Sequence, residues 1–423
     1  MEGVLLLAVF LVLAGLGVPL AYAMGLSTLL AMVVLDVPFS AFFTRSLAGI
    51  DAFSLLAIPF FVLVGELLTG GGMSRRIIDF ANSMVGWMKG GLGVVNVGGS
   101  VLFAGVSGSS AADTAAVGGV MIPAMKRSGY DAGFAAAVTA SSATIGSLIP
   151  PSVLLIIYGG ITGLSIGSLF LAGVMPGLLV GVALFLLTWW KGRRQVGQAV
   201  AFSVHNVVTT GARAILAGLL PVLLVVGILQ GVFTATEGGV MGVVYALLVG
   251  RIVYRELGWS EIGRMAVRSA ELTGVLLLLL AMATIFAWVL AFVGLPRQIL
   301  EVLTAISENP TIIILIIVAF LLVFGMFVET VAAATIVVPV LLPLGPLLGL
   351  DPLHFGMIII TALLVGTVTP PVGILLYICA GLADISTARA IRSVLPFLVV
   401  LAICVLVVAF VPNLSLWLPS LAQ

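Results

Sequence analysis

Residues 146–155 read GSLIPPSVLL and residues 366–375 read GTVTPPVGIL. Both lie in long apolar surroundings where a helix is expected to continue. Adjacent prolines forbid that, because each lacks an N–H and its ring collides with the preceding turn. The two stretches are 220 residues apart, and the same offset sets Pro123 on Pro343, Asp131 on Asp351 and Pro176 on Pro396 without a gap. Nearer the start, an offset of 217 sets VLLLAVFLVLAGLG (4–17) on PVLLVVGILQGVFT (221–234), and Met24-Gly25 on Met241-Gly242. Self-similarity at a fixed long period marks a duplicated architecture. The chain is therefore expected to be two similar halves, 1–195 and 213–423, joined by an amphipathic linker over 196–212.

Composition sets the class. With 423 residues, 62% hydrophobic and 8% charged, and a mean hydropathy of +1.36, there is too little polar surface to cover a soluble globule. Fifty glycines and nineteen prolines suit helices that break at depth, not the alternating strands of about ten residues in a β-barrel. The expected fold is an all-α polytopic membrane protein. A formal net charge of +1 argues against nucleic acid. Cys379 and Cys404 sit in apolar runs and suggest neither a disulfide framework nor a metal site. The first apolar run begins at Gly3 with no basic leader or cleavage signature, and is expected to be a retained membrane segment.

Each half reads in the same order. Apolar segments are expected at 3–18, 19–35 and 54–69, followed by an amphipathic stretch, MSRRIIDFANSMVGWMKG (73–90). A helical hairpin over about 90–125 comes next, with arms of about sixteen residues, too short for two full crossings of an ~30 Å core. A helix broken at Pro150-Pro151 (132–160) and a last crossing (169–190) complete the half. The second half repeats the plan with segments at 214–233, 238–253 and 273–293, a hairpin over 311–348, a broken helix over 353–381 and a last helix over 390–411. Five crossings and one re-entrant hairpin per half is an odd count, so the second repeat is expected to enter the membrane inverted. On that topology fifteen of the seventeen Lys and Arg residues, Lys89 among them, fall on the cytoplasmic side and only Arg45 and Arg297 outside. Both termini come out on the outer face, and Trp87, Trp189 and Trp190 fall where an inner aromatic belt belongs.

Inverted repeats with broken helices are the architecture of secondary transporters, whose sites form where discontinuous helices meet near the midplane. The first hairpin tip, GVSGSSAAD (105–113), offers hydroxyls and carbonyls at Ser107, Gly108, Ser109 and Ser110, and the helix that follows offers free N–H groups and a positive dipole end. Across from it, the broken helix frees oxygens at Gly146, Ser147, Ile149 and Pro150. In the second half Glu329, Thr330, Gly366, Thr367, Thr369 and Pro370 offer the same chemistry. These residues are candidate ligands for a hard monovalent cation, and no organic cofactor is expected. Ser109, Ser110, Asp113, Pro151, Ser152, Thr330 and Pro371 are candidates for the substrate. The spacing Ser110-x-x-Asp113 also matches a capping box, and Glu329 also suits a helix cap. Because all Lys and Arg residues fall in loops or at interfaces, an anion would be held by helix N-termini, hydroxyls and the co-bound cations.

The runs GVSGSSAADTAAVGGVMIPAM (105–125), GYDAGFAAAVTASSATIGSLIPPS (129–152), FVETVAAATIVVPVLLP (327–343) and GTVTPPVGILLY (366–377) together resemble the large membrane subunit of tripartite ATP-independent periplasmic (TRAP) transporters, the DctM-like family of the wider ion-transporter superfamily. The resemblance covers essentially the full length. It implies secondary, usually sodium-coupled, uptake of small organic acids across the cytoplasmic (inner) membrane by an elevator mechanism, with scaffold and transport domains. It also implies two protein partners: a small four-helix membrane subunit, expected here as a separate chain, and a soluble periplasmic substrate-binding protein. In the family pattern the hairpin tips and broken helices carry the sites, which maps to 107–110, 146–152, 329–330 and 366–371.

Two other classes share some of these features. Hairpins with polar tips also build ion-channel filters. The GVSG of residues 105–108 matches the GxSG element of rhomboid-type intramembrane serine proteases, but a nucleophile needs a base within hydrogen-bond reach. The only histidines are His205, expected in the linker, and His354, expected near the outer surface beside Asp351.

Overall fold

The computed structural model describes residues 2–51, 53–88, 90–195 and 202–422. Lys89 and residues 196–201 of the expected linker lie outside these. In the first half the helices are α1 (Glu2–Gly15), α2 (Leu20–Val34), α3 (Ser40–Ala48), α4 (Ala57–Gly70), α5 (Met73–Val85), α6 (Gly91–Ser107), α7 (Ser110–Arg127), α8 (Ala132–Ala143), α9 (Val153–Thr162) and α10 (Ile166–Gly192). In the second they are α11 (Val204–Leu229), α12 (Ala235–Leu247), α13 (Trp259–Phe292), α14 (Leu295–Ile306), α15 (Pro310–Phe327), α16 (Thr330–Leu341), α17 (Leu344–Leu347), α18 (Pro352–Gly366), α19 (Ile374–Ala383), α20 (Thr387–Phe410) and α21 (Asn413–Leu421). No strand occurs among the described residues.

The apolar helices are interrupted at residues 108–109, between α6 and α7, at 328–329, between α15 and α16, and at the two proline pairs, where both Pro-Pro bonds are cis. α6 packs along α7, whereas α15 packs chiefly on α18. Residues 204–212 do not form a separate linker but open α11. Two helices were absent from the sequence reading, α3 and α21, each of nine residues. Among the described residues six helices are long and apolar enough to cross a membrane alone, and α4 with α5 passes together but bends by 64° between them.

The helices sort into two groups. α13 carries α2, α3 and α4 along its length, while α4 and α11 pack on α12. The other group is centred on α8 and α18, which are buried along nearly their whole lengths. α8 is almost all Ala, Ser, Thr and Gly, which lets α7, α19 and α20 approach its backbone. The halves interlock here. The piece after each proline pair packs on the returning hairpin arm of the other half, α19 on α7 and α9 on α16.

Charge closes this seam at one end. Lys126, in the last turn of α7, donates to the Ala383 carbonyl at the end of α19 at 2.6 Å, placing a cation on a negative helix terminus. Asp131 caps α8 through the Phe134 N–H at 2.9 Å and pairs with Arg389 of α20. Burial alone raises the Asp131 pKa, but the Phe134 N–H and the Arg389 guanidinium outweigh it and hold the carboxyl below the usual range.

α15 and α18 cross closely: a Cβ on Gly366 would lie 2.7 Å from the Gly325 Cα. Both walls are backbone, so nothing can swing aside. Gly366→Val and Gly325→Val are each expected to cost at least about 1–3 kcal/mol of overpacking. Gly98→Ala, with open space around its Cβ, is expected to be neutral or slightly stabilising. Thermal unfolding of the detergent-purified variants checks the ranking.

Candidate functional site

α6 ends at Ser107, and the chain reverses through Gly108, whose φ of 60° is the left-handed conformation that favours glycine. A side chain would not fit there, since a Cβ would lie 2.5 Å from the Pro151 carbonyl oxygen. Ser109 then caps α7, its Oγ accepting the Ala112 N–H at 3.5 Å. The broken helix docks onto this tip. Ser110 donates its N–H at 3.0 Å and its hydroxyl at 2.9 Å to the Ser147 Oγ, which lies on a single 3₁₀ turn, Thr144–Ser147. Ser152 donates to the Ser147 carbonyl at 2.7 Å and accepts the Leu155 N–H at 3.3 Å. The Val153 N–H donates to the Gly108 carbonyl at 3.2 Å. A Cβ on Gly146 would sit 3.3 Å from the Ser109 carbonyl oxygen. Residues 107–110 and 146–152 are thus one cluster, with Ile149 half-buried and Pro150 buried at its edge.

In the second cluster Glu329 caps α16, its Oε2 accepting the Val331 N–H at 2.9 Å and the Ala332 N–H at 3.2 Å. Glu329 as a residue is exposed on the protein surface with its carboxylate folded back on the start of α16, whereas Thr330 is buried. The Gly373 N–H donates to the Met326 carbonyl at 3.2 Å, and Gly373 stands 220 residues from Val153, which makes the same kind of bond in the first half. Thr367 and Thr369 turn their hydroxyl protons back to the Leu364 and Val365 carbonyls, at 2.6 and 2.8 Å. Each retains oxygen lone pairs only. Pro370 and Pro371 follow directly, partly buried and exposed.

Asp113 departs from the capping-box expectation. The cap is Ser109, one residue earlier than the spacing suggests, and Asp113 does not reach back to it. Its side chain is fully buried beside Ser100, whose hydroxyl donates to Ser142 instead, so neither carboxylate oxygen completes a hydrogen bond of ordinary geometry. Behind it runs a buried polar column that the sequence reading missed. The Asn96 amide donates to the Thr139 Oγ at 2.6 Å, Ser100 donates to the Ser142 Oγ at 3.0 Å, and Ser142 reaches the Asn96 Oδ1 at 3.5 Å. The signal was present: Asn96 and Ser100 are one turn apart on a glycine-rich apolar arm, facing Thr139 and Ser142, also one turn apart. A carboxyl group buried in a membrane protein without a counter-charge is an expensive arrangement that marks a functional site.

Neither histidine serves Ser107. His205 is exposed in the first turn of α11, and His354 is buried with its ring nitrogens 3.4 Å from the Ser415 Oγ and 3.3 Å from the Ala409 carbonyl. The GxSG reading therefore lacks its base. The fold and clusters define a multi-pass helical membrane protein whose discontinuous helices meet at buried polar sites.

A family model described as the tripartite ATP-independent periplasmic transporter, DctM component, matches residues 7–414. The chain belongs to that family, and it is a transporter permease subunit rather than an enzyme. It is 36% identical over 401 residues, 94% of either chain, to the large permease protein YiaN of the 2,3-diketo-L-gulonate TRAP transporter of Escherichia coli strain K12. It is 39% identical over 381 residues, covering 89% of this chain and 88% of the relative, to the large permease protein SiaM of the sialic acid TRAP transporter of Vibrio cholerae. Among solved structures, the YdaH transporter of Alcanivorax borkumensis shares the fold, with a TM-score of 0.66 at 15% identity over 88% of each chain.

Ser147→Ala leaves the buried N–H and hydroxyl of Ser110 without an acceptor, which is expected to cost about 1–3 kcal/mol. Hydrogen exchange locates the loss: the amides of 110–112 are expected to exchange faster while those of α13 stay at wild-type protection.

Proposed function

We propose that this subunit carries small organic acids inward across the cytoplasmic membrane, driven by sodium, with its two halves inverted and both termini on the periplasmic face. The observation that carries this reading is Asp113, a carboxylate buried beside Ser100 with no counter-charge, on the first turn of the helix whose start holds the cluster of Ser107, Ser109, Ser110 and Ser147. Neither 105–118, 146–155, 326–335 nor 366–375 contains a lysine or arginine. A monovalent cation is the charge that fits. It would be held by Ser107–Ser110 with Gly146, Ser147, Ile149 and Pro150 in the first cluster, and by Glu329 and Thr330 with Gly366, Thr367, Thr369 and Pro370 in the second.

The substrate is an anion. The transporters of the two relatives described above are named for 2,3-diketo-L-gulonate and sialic acid, both carboxylates. With no fixed cation in either cluster, a carboxylate would depend on the bound sodium and on the starts of α7 and α9, at Ser109–Ser110 and Pro151–Ser152, and of α16 at Thr330, with Pro371 opposite. Sodium would then raise the affinity for the acid, which is the coupling. The group of helices around α8 and α18 moves as a transport domain against a scaffold formed by α1–α4 and α11–α13. A small four-helix membrane subunit completes the scaffold, and a periplasmic binding protein delivers the acid.

Proteoliposomes carrying the complete system test the reading. An inward sodium gradient is expected to concentrate 2,3-diketo-L-gulonate, sialic acid or a C4-dicarboxylate, whereas flux that stops at equal concentrations would indicate a channel. Binding is tested without knowing the substrate. Sodium, compared with potassium at equal ionic strength, is expected to stabilise the wild type by about 2–3 kcal/mol near 100-fold excess over its dissociation constant. Asp113→Asn relieves an uncompensated buried charge, so its sodium-free protein should melt higher and its sodium response should shrink. An unchanged response in that variant removes Asp113 from the site.

A further inference from the structure

The corner between α4 and α5 is Gly70-Gly71-Gly72, where the chain turns by 64° and Gly72 adopts a φ of 73°. The segment joining α12 to α13 leans on this corner. A Cβ on Gly72 would lie 1.7 Å from the Glu256 Oε2, and one on Gly71 would lie 3.4 Å from the Gly250 Cα. The segment is itself firmly built. α12 ends in a π-helical turn, Leu248–Val253, and the Gly250 carbonyl accepts the Glu256 and Leu257 N–H groups at 3.0 and 3.3 Å. Arg251 donates to the Leu257 carbonyl at 2.7 Å, and the Leu257 side chain is buried against Gly71 and Gly250.

Arg76, in the first turn of α5, is the side chain that joins the two. It donates to the Gly72 carbonyl at 2.9 Å, pairs with Glu256 at 2.7 Å, and lays its guanidinium 3.8 Å from the centre of the Tyr254 ring. The Tyr254 hydroxyl in turn donates to the Arg213 carbonyl of α11 at 2.8 Å. α5 leads straight into α6, the first arm of the hairpin that carries Ser107. α5 packs on both α6 and α11, and the Ser83 and Thr210 hydroxyls share a hydrogen bond at 2.8 Å. Displacing the hairpin group against α11–α13 therefore either bends the chain between α5 and α6 or swings α5 about the glycine corner and disturbs the contacts of Arg76. The pair is partly exposed, so water and salt moderate it, and it holds one angle without locking it.

We propose that Arg76 and Glu256 are positioning residues for transport: with Tyr254 they form a detent that sets the angle of α5 at the Gly70–Gly72 hinge. The proposal rests on the moving transport domain described above and takes the second of these two courses, the swing of α5. Arg76→Glu and Glu256→Arg each place like charges together and should lower the maximal uptake rate in proteoliposomes about five- to tenfold, leaving the half-saturating sodium concentration unchanged because the hinge holds no ligand. The exchanged pair, Arg76→Glu with Glu256→Arg, restores opposite charges but neither the bond to the Gly72 carbonyl nor the stacking on Tyr254. It should therefore regain about threefold of the lost rate, and an unchanged melting temperature across the single and double variants separates positioning from a structural loss. Arg76→Gln and Glu256→Gln stand in for any reversal that fails to purify as a monodisperse protein.

Spin labels on Val244→Cys of α12 and Leu186→Cys of α10, both exposed in the native chain, separate this idea from its premise. If the wild-type distance distribution does not respond to sodium and substrate, the moving-domain reading fails and the detent with it. If it responds, but the single variants show wild-type populations and wild-type rates, or the exchanged pair does not recover, Arg76 and Glu256 do not set the angle.

Discussion

A helix that stops inside an apolar bundle leaves N–H and C=O groups that water cannot reach, and every feature of the polar clusters follows from where those groups find partners. Two backbone bonds do most of this, Val153 N–H to Gly108 C=O and Gly373 N–H to Met326 C=O. Each ties the resumption of a broken helix to the tip of its own half's hairpin. Without them the proline pairs would leave orphaned donors at depth. With them, the interruption becomes a fixed joint between two elements, and Gly108 must be glycine because the Pro151 carbonyl occupies the space of a side chain.

The same joint sets the packing of the halves. A helix resumed after a proline pair is only ten residues long, too short to be stable by itself, so it must bury its surface on a neighbour. Each finds it on the opposite half, α19 on α7 and α9 on α16. The Lys126 contact to the Ala383 carbonyl and the Asp131–Arg389 pair then fix the end of that seam. Duplication alone does not require this exchange. It follows from short half-helices that need longer partners.

Much of this was legible because proline and glycine state a backbone requirement directly. The PP pairs and the GVSG turn mark positions where the helices do break, at residues 108–109, 148–152 and 367–373. What was missed carries its information in the tertiary structure. The cap slid from Ser110 to Ser109 because Ser110 spends its hydroxyl and N–H on Ser147, a partner 37 residues away. Asn96, Ser100, Thr139 and Ser142 are unremarkable singly and become a column only when α6 and α8 are placed face to face. α3 and α21 are short, and α21 is held by packing on α10 and α18 that no local pattern announces.

The joints also sort charge. At the first cluster the ends of α6 and of the 3₁₀ turn Thr144–Ser147 point carbonyls inward, while the starts of α7 and α9 point N–H groups inward. Under the proposed function, a cation and an anion would be accommodated side by side at these helix ends. Asp113 unbalances this symmetry by adding a full negative charge within the first turn of α7. Under the proposed coupling, that charge makes the site repel a carboxylate while it is empty of cation, since the N-terminal dipole supplies only about half a positive charge against it. Binding order is then fixed by electrostatics: the cation neutralises Asp113 first, and only afterwards do the helix starts at Ser109 and Ser152 present a net positive field to the acid. A hairpin tip built only of serine and glycine would hold both ions but impose no such order.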